Sequence, residues 1–595
     1  MTYFERLLRC ETQCDICCRA IKPCVNKPVL LHSDVLMLHQ RRSNKLHTIS
    51  VFRVSVCRSK GLKFETTMVN LLQSWLPCCM SSVSSYLLSL LLLLVTYFLY
   101  SYLTNRKSWE SYGVKQVSLG KLALTDFRQA VVQLIESHGD TIGIHRGRMT
   151  LLTRDLDLLK HVMVKDFNNF VNRLPIMTTT SALETGVFFL NDYDWKRVRH
   201  VITPSFTTAK LKQVASNIEE SARKLTNVLE EYAEKGDLVP IKYIAGQFTS
   251  EVIARSAFGF KTDCIGKEDD EFTGHAKKML RLRGGIMSVV MRIMFQFKWI
   301  QNFLVKKVGI TLLDQADPDS DRYFDTILRR TVSKRQELSR LGKPMPNDLL
   351  QSLISAKEEG DREAASFSGH ADGVTWEKLP KTMSERELIG QSMLIIFAGF
   401  ETTATTLQLA LYLLAQHPDI QEKVYREILE TVQSDTPTYE ELGHLKYMEQ
   451  VVNETLRLYP PAPISSRVAA DTYHYKNIVI PKGASIIIAK DAIMRDPKNF
   501  PEPSKFDPER FSEENKSSRD LMTFLPFGHG PRQCIGMRLA YLELKLGLVH
   551  VLRKIKFVLS ERTHPKVGEE LKTRFQGIII TDKPIQLEVH LRQSN

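Results

Sequence analysis

One cysteine in a glycine-rich turn near the C-terminal end could bind a metal. The stretch 527–536 reads FGHGPRQCIG and holds a single sulfur, that of Cys534. Zinc and iron–sulfur sites need several cysteines or histidines close together, so this stretch disfavours them. A lone thiolate on a rigid turn is typical of an axial haem ligand, whose sulfur donates electron density that helps to cleave an O–O bond. A buried structural cysteine beside a turn is the competing interpretation.

The residues around Cys534 suit an axial ligand. Gly528, Gly530 and Gly536 allow tight turns and a close approach of the backbone to a flat macrocycle. The following segment, 537–553, is leucine-rich and free of proline, which predicts a helix. The positive N-terminal end of that helix is expected to favour thiolate over thiol.

The loop resembles the haem-binding motif of the cytochrome P450 superfamily, and further motifs of that family are present. Glu454 and Arg457 match the Glu-x-x-Arg motif, and Arg510 lies in a downstream Pro-Glu-Arg-Phe segment. The resemblance implies that these three side chains form a buried structural triad behind the haem. Taken alone, a Glu–Arg pair at this spacing is most often a solvated surface pair.

A second family motif implies oxygen activation. The segment 398–403 (AGFETT) lies inside the apolar run 388–414, where a glycine and threonines are unfavourable for a helix. The resemblance implies that the helix loosens here, that Thr402 holds a water molecule beside bound dioxygen and that Glu401 supplies protons. A helix kink without proton transfer is the alternative.

The cofactor implied by the resemblance is heme b (iron protoporphyrin IX) with Cys534 as the axial thiolate. The two haem carboxylates need partners when they are buried. The resemblance assigns cofactor binding to six further residues: Trp195, Arg199, Arg467, Arg532, Phe527 and Arg173. Ordinary surface arginines are the alternative at the basic positions.

The resemblance covers roughly residues 83–595 and looks closest to the group that contains the drug- and steroid-hydroxylating third family and thromboxane synthase. The implied activity is a haem-thiolate monooxygenase that inserts one atom of O2 into a lipophilic substrate, such as a xenobiotic, a steroid or a fatty acid. The implied electron source is NADPH, through NADPH–cytochrome P450 reductase, with cytochrome b5 as a second donor.

Two other functions compete with this interpretation. A haem-thiolate isomerase of lipid peroxides, similar to thromboxane synthase, needs neither a reductase nor dioxygen and has no use for Glu401 and Thr402. A non-catalytic haem binder or sensor is disfavoured because none of the motifs is broken. The presence of the acid–alcohol pair therefore favours the monooxygenase.

Helical periodicity dominates the chain from residue 105 to residue 595, and neither a linker nor an internal repeat divides it. Strand patterns occur around 141–152, 473–488 and 575–591. The sequence thus predicts one mainly α-helical catalytic domain with small β-sheets behind an N-terminal transmembrane helix, and the resemblance implies that this domain has the cytochrome P450 fold.

The predicted anchor is the uncharged, leucine-rich stretch 83–103, which is long enough to span about 30 Å of hydrocarbon. Tyrosines cluster at its C-terminal end, and Arg106 and Lys107 follow directly. This pattern favours a membrane anchor over a buried core helix and places the catalytic domain in the cytosol. We therefore expect a single-pass protein of the endoplasmic reticulum membrane.

Residues 1–67 have a different composition. They contain six of the ten cysteines and twelve Lys and Arg residues against five Asp and Glu residues, half of the net charge of +14. A zinc cluster is disfavoured by the cramped cysteine spacing, and a mitochondrial presequence by the spanning helix that follows. We interpret the segment as an untranslated leader or gene-model extension without a function, with Met68 as the working start.

The remaining positive charge does not require a nucleic-acid partner. Four basic residues are expected near the thiolate side of the haem, where a basic face would steer an acidic reductase; they are Lys196, Arg197, Arg538 and Lys545. Solvated surface charge is the alternative.

Overall fold

The computed structural model describes residues 109–118, 126–145, 148–175, 179–267, 270–280, 316–366 and 381–593, and the isolated residues 89, 92, 96, 306 and 307. The chain divides into two compact units, Met1–Leu92 and Leu93–Asn595, and the helices and strands with described bounds lie in the second unit. The predicted extension 1–67 and, apart from three residues, the predicted anchor 83–103 lie outside the described residues.

The second unit is mainly helical, as the periodicity predicts. Its described α-helices are Phe127–His138, Leu156–Lys160, Asp192–Ile202, Thr208–Lys235, Ile241–Phe258, Glu271–Leu280, Pro318–Arg340, Leu349–Ser366, Glu385–Gln416, Pro418–Thr431, Tyr439–His444, Lys446–Leu458, Lys490–Met494, Glu513–Ser517 and Met537–Lys554.

Four small sheets accompany the helices. β1 (Thr141–His145), β2 (Met149–Thr153), β7 (Ser485–Ile488) and β4 (Ser465–Val468) form a sheet in the order β1-β2-β7-β4, in which β2 and β7 run parallel. A three-stranded sheet has the order β3 (Val239–Pro240), β11 (Gln586–Leu591), β8 (Ile555–Val558). Two further sheets have two strands each: β9 (Thr573–Phe575) pairs with β10 (Ile579–Thr581), and β5 (Tyr473–Tyr475) pairs with β6 (Ile478–Ile480). Strands occur in all three predicted regions, so the predicted mainly helical fold with small sheets is confirmed, whereas the transmembrane helix predicted ahead of it stays a prediction.

The helix Glu385–Gln416, called the core helix below, runs through the interior. It starts at a capping box formed by Ser384 and Glu387, which satisfies two otherwise unpaired N–H groups, and it ends before Pro418, which cannot continue a helix. Among the described residues it is the one helix long and apolar enough to cross a membrane. Most of its length is buried inside the domain, which is what a core helix requires.

The core helix and the helix Met537–Lys554, called the cysteine helix below, share one hydrophobic core with Thr208–Lys235. Gly399 allows the helix Ile241–Phe258 to pack closely, since a Cβ atom there would lie 3.1 Å from Ile253 Cδ1 and would require that side chain to shift by a few tenths of an ångström. These contacts place the AGFETT segment and the cysteine loop within a single packed unit, whose interior tolerates little change in volume.

Candidate functional site

The cysteine loop is held by its own backbone. The N–H of Cys534 donates to the carbonyl of Phe527 at 3.0 Å, and Gln533 N–H donates to Gly530 O at 2.9 Å. Gly530 has φ +74°, and a Cβ there would lie 2.0 Å from Met163 O, so only glycine fits. At Gly536, where φ is −85°, the backbone makes no such demand.

Solvent reaches the Cys534 side chain. The interior of the domain nevertheless surrounds it, and this burial is the largest influence on the pKa of its thiol. Burial raises the pKa of the thiol, whereas the N–H of Gly536 and the charges of Arg199 and Arg173 lower it. The start of the cysteine helix therefore acts in the predicted direction but is outweighed. A bound metal ion deprotonates a cysteine outright, so burial is no obstacle to ligation.

Five basic side chains, called the cation cluster below, lie together near Cys534. Burial, the largest cause, lowers the pKa of all five, and repulsion between neighbouring cations adds to it in most of them. The pKa falls to about 10 for Arg173, about 9 for Arg467, about 8 for Arg532 and about 7 for Lys490, and it is also lowered for Arg199. Within the described part of the chain, no carboxylate is ion-paired with any of them.

The cation cluster fits a buried dianion. Arg173 Nε and Arg467 Nε are buried and have no hydrogen-bond partner among the described residues. Buried charges without counter-charges are costly, and unpaired buried donors add to that cost. A macrocycle with two carboxylates that lies beside the Cys534 sulfur would satisfy both requirements. The donor set that the structure brings together thus suits haem.

Arg532 has a different local arrangement from the other arginines. Its guanidinium donates to Val171 O at 3.0 Å and to Leu190 O at 2.7 Å, and it lies 4.4 Å from the centroid of the Trp195 ring. Arg532 therefore fastens the cysteine loop to two neighbouring segments. Its predicted contact with a haem carboxylate stays a prediction.

The two aromatic residues predicted to bind the cofactor are packed near the loop. Trp195 is buried, and its ring centroid lies 5.5 Å from that of Phe167. It shares the helix Asp192–Ile202 with Arg199, four residues later and therefore on the same face. Phe527 is partly buried, and its ring lies 5.4 Å from that of Tyr541 in the cysteine helix.

The predicted oxygen-activating residues lie on the core helix, which is unbroken from Glu385 to Gln416. The expected loosening of the helix is thus not observed. The Thr402 hydroxyl donates to Ala398 O at 2.7 Å, and the Glu401 carboxylate forms an ion pair with Lys242. These two side chains are not hydrogen-bonded to one another, because consecutive residues of a helix do not face each other.

The comparison with known families decides the identity of the chain. The family model for cytochrome P450 matches residues 117–589. This protein belongs to the cytochrome P450 family. It carries out the monooxygenase reaction of that family with heme b and a cysteine thiolate as the axial ligand.

Similar curated proteins place this cytochrome P450 close to the third family. It is 33% identical over 461 residues to "Cytochrome P450 3A41" of Mus musculus, which covers 77% of this chain and 86% of the relative. It is 34% identical over 455 residues to "Cytochrome P450 3A7" of Homo sapiens, covering 76% of this chain and 84% of the relative. The resemblance inferred from the motifs is therefore confirmed.

In this cytochrome P450 the Glu-x-x-Arg pair is buried, not solvated. Glu454 and Arg457 have fully buried side chains joined by contacts of 2.6 and 2.8 Å. Arg457 also donates to Met494 O and Pro503 O at 3.0 and 2.8 Å. Arg510 Nε approaches Glu454 at 3.4 Å, which completes the arrangement expected of the structural triad.

Arg197 and Lys545, two of the expected reductase-facing basic residues, form ion pairs within the domain. Lys545 is buried and pairs with Glu449 at 2.8 Å. Arg197 donates to Glu387 at 3.2 Å, so its charge is largely compensated. The basic face is therefore weaker than the sequence suggested, and Arg538 is its most exposed member.

Sequence analysis missed two basic residues near the site. Lys490 lies two residues after the end of the buried strand β7 and joins the cation cluster. A lysine so close to a buried strand was the available signal. Lys242, the partner of Glu401, lies on another helix about 160 residues earlier in the chain. A contact between residues so far apart in sequence is set by the tertiary fold. Its position alone carried no such signal.

Proposed function

We propose that this cytochrome P450 oxidises lipophilic organic molecules, such as xenobiotics, steroids or fatty acids, at the endoplasmic reticulum membrane. The proposed electron source is NADPH, through NADPH–cytochrome P450 reductase, with cytochrome b5 as a further donor. The observation that supports dioxygen chemistry most directly is the pair Glu401 and Thr402 within the interior core helix, each in a defined hydrogen-bond arrangement.

In this proposal Cys534 holds the haem iron, while Trp195, Arg199, Arg467, Arg532 and Arg173 bind the haem carboxylates. Bound haem supplies dioxygen binding and cleavage of the O–O bond. The protein's contribution is to fix the position of the sulfur and to compensate the carboxylates inside a poorly solvated interior, where charge-assisted hydrogen bonds are strong.

Glu401 and Thr402 divide the handling of protons between them. The Thr402 hydroxyl donates to Ala398 O, so its oxygen can accept a hydrogen bond from a water molecule beside it. The Glu401 carboxylate is shared with Lys242 and must be released from that ion pair before it can pass a proton on. Because the side chains do not touch, a water molecule must connect them.

The surroundings of the core helix suit an apolar substrate. The Phe189 ring lies 6.1 Å from the Phe397 ring, which is one helical turn before Glu401. Phe188 packs edge-on against Phe189 at 5.1 Å and carries Arg173 on its face at 4.4 Å. Aromatic walls beside a few polar groups are the usual lining of a small-molecule site, and such walls discriminate weakly between similar apolar molecules.

The proposal is tested by isotope incorporation. The purified full-length protein is combined with NADPH, its reductase and a panel of lipophilic substrates under ¹⁸O₂. The expected product carries one labelled oxygen atom, and the label does not enter from ¹⁸O-water. Conversion of a lipid endoperoxide without NADPH or O2 would support the isomerase instead, and NADPH consumption without any product would support a non-catalytic role.

A further inference from the structure

Lys490 is a buried lysine outside the family motifs described above. It begins the short helix Lys490–Met494 after β7, and only 3% of its surface is exposed. An ammonium group has three hydrogen-bond donors. Among the described residues, Nζ has one acceptor, Pro526 O at 3.4 Å, which is longer than most protein N–H···O bonds. The remaining donors need an acceptor.

No acidic residue of the described chain compensates Lys490. The groups whose charges act on it are Arg173, Cys534 and Arg467. The adjacent carboxylate of Asp491 is bonded to Arg128 at 2.9 Å and to Arg495 at 3.3 Å. Lys490 thus lies buried among other cations, where an adjacent anion would stabilise its charged form.

We propose that Lys490 donates to a haem carboxylate and is an additional cofactor-binding residue of this cytochrome P450. The inference rests on the proposed function insofar as Arg173 and Arg467 bind the same carboxylates. A carboxylate would give the ammonium both its counter-charge and its missing acceptor, and such charge-assisted bonds are about twice as strong as neutral ones. The competing role is to brace the Pro526 carbonyl at the start of the cysteine loop.

Three variants separate these roles when haem release to excess apomyoglobin is followed by absorbance. Lys490→Arg retains the charge, Lys490→Gln retains a donor for Pro526 O without the charge, and Lys490→Met retains neither. We expect the Met and Gln variants to release haem about tenfold faster or more and the Arg variant to stay near the wild type. Release from the Gln variant at the wild-type rate would assign the bracing role and overturn the proposal. Lys498 is an exposed lysine eight residues after Lys490, and Lys498→Met is the matched control.

Reconstitution with haem dimethyl ester isolates the carboxylate. The ester has no anionic carboxylates, so the difference in haem release between wild type and Lys490→Met should vanish. A difference that persists would place the action of Lys490 elsewhere, for example on the Cys534 sulfur, and would contradict the proposal.

Unfolding of the haem-free protein is the second readout. Without haem, Lys490→Met should be at least as stable as the wild type, because one buried cation is removed. If Lys490→Met lowers the free energy of unfolding equally in the haem-free and the haem-bound protein, Lys490 has a structural role and the proposal is wrong.

A failure of the Lys490 proposal can be distinguished from a failure of the wider proposal. A wild-type protein whose reduced, carbon-monoxide-bound form lacks the spectrum of a thiolate ligand would contradict the assignment of Cys534. A protein with that spectrum whose haem release is unchanged in every Lys490 variant would contradict only the role of Lys490.

Discussion

The Lys242 ammonium on the helix Ile241–Phe258 forms an ion pair with the Glu401 carboxylate of the core helix. Lys242 also donates to Thr405 Oγ1 at 3.1 Å. The side chains of Lys242 and Glu401 are only 28% and 14% exposed, so the pair is poorly solvated. The residue proposed to supply protons therefore also joins two helices, and its catalytic and structural effects must be separated.

A double-mutant cycle separates them. Lys242→Met and Glu401→Gln should each lower the free energy of unfolding by about 1–3 kcal/mol, since each leaves a shielded polar group without its partner. The double variant should lose less than the sum of the two, as measured by denaturant unfolding. The exposed pair Lys482 and Asp471 is the control, where Lys482→Met should change stability by less than about 1 kcal/mol. Additive losses at the first pair would contradict the coupling.

Replacement of Thr402 should uncouple electron use from product formation. In Thr402→Ala the ratio of product to peroxide should fall by about a hundredfold, which is the low end for loss of a proton-transfer group, while NADPH oxidation continues. Thr406→Ala removes a hydroxyl that donates to Thr402 O at 2.9 Å one turn further along the same helix, and it should remain largely coupled. Both are measured as product, peroxide and NADPH per turnover. Full coupling in Thr402→Ala would rule out its proposed role.

The two cysteines that the structure describes should behave oppositely. Cys534→Ser should abolish the thiolate spectrum of the reduced, carbon-monoxide-bound protein and its monooxygenase activity. Cys264→Ser should retain both, because Cys264 is buried, its thiol donates to Gln247 O at 3.4 Å, and burial raises its pKa to about 12. A serine can make a similar hydrogen bond. An unchanged spectrum in Cys534→Ser would show that another residue binds the iron.

The buried triad should show graded effects. Glu454→Gln should lower the free energy of unfolding by about 3–5 kcal/mol, because it leaves Arg457 charged and buried without its partner. Arg510→Met should cost less, about 1 kcal/mol, since the contact of Arg510 with Glu454 is longer, at 3.4 Å, and Glu454 keeps both of its hydrogen bonds to Arg457. Denaturant unfolding of the haem-bound protein measures both. Equal losses in the two variants would contradict the smaller role of Arg510 in the triad.

His550 should make stability depend on pH. Burial, partly offset by Glu219, lowers its pKa from 6.5 to about 4, so the folded state binds fewer protons than the unfolded state between these values. Its stabilising contribution is complete above about pH 6.5 and is lost as the pH falls to about 4, by up to about 3 kcal/mol. His550→Leu should unfold at pH 7 much like the wild type and lose less stability at pH 5. His200 is exposed, and His200→Gln is the control. If the free energy of unfolding falls with pH in the same way in His550→Leu and in the wild type, the assignment to His550 is wrong.

Local sequence rules predicted the features that depend on neighbouring residues. The cysteine helix follows Cys534 as its leucine pattern indicates, and Gly530 lies in the loop with φ +74°, a backbone conformation that favours glycine. The strand regions were recognisable from their periodicity. The spacing of Glu454 and Arg457 fixed their pairing, since residues three apart share a helix face.

The sequence by itself thus determined the family, the haem-binding cysteine loop and the mainly helical fold, because motifs and periodicity are local properties of the chain. Tertiary structure decided which charges are compensated. It paired Glu401 with Lys242, engaged Arg197 and Lys545 within the domain, and gathered Lys490 into the cation cluster. These outcomes depend on contacts between residues far apart in sequence and on how fully each is buried, and a single sequence specifies neither directly.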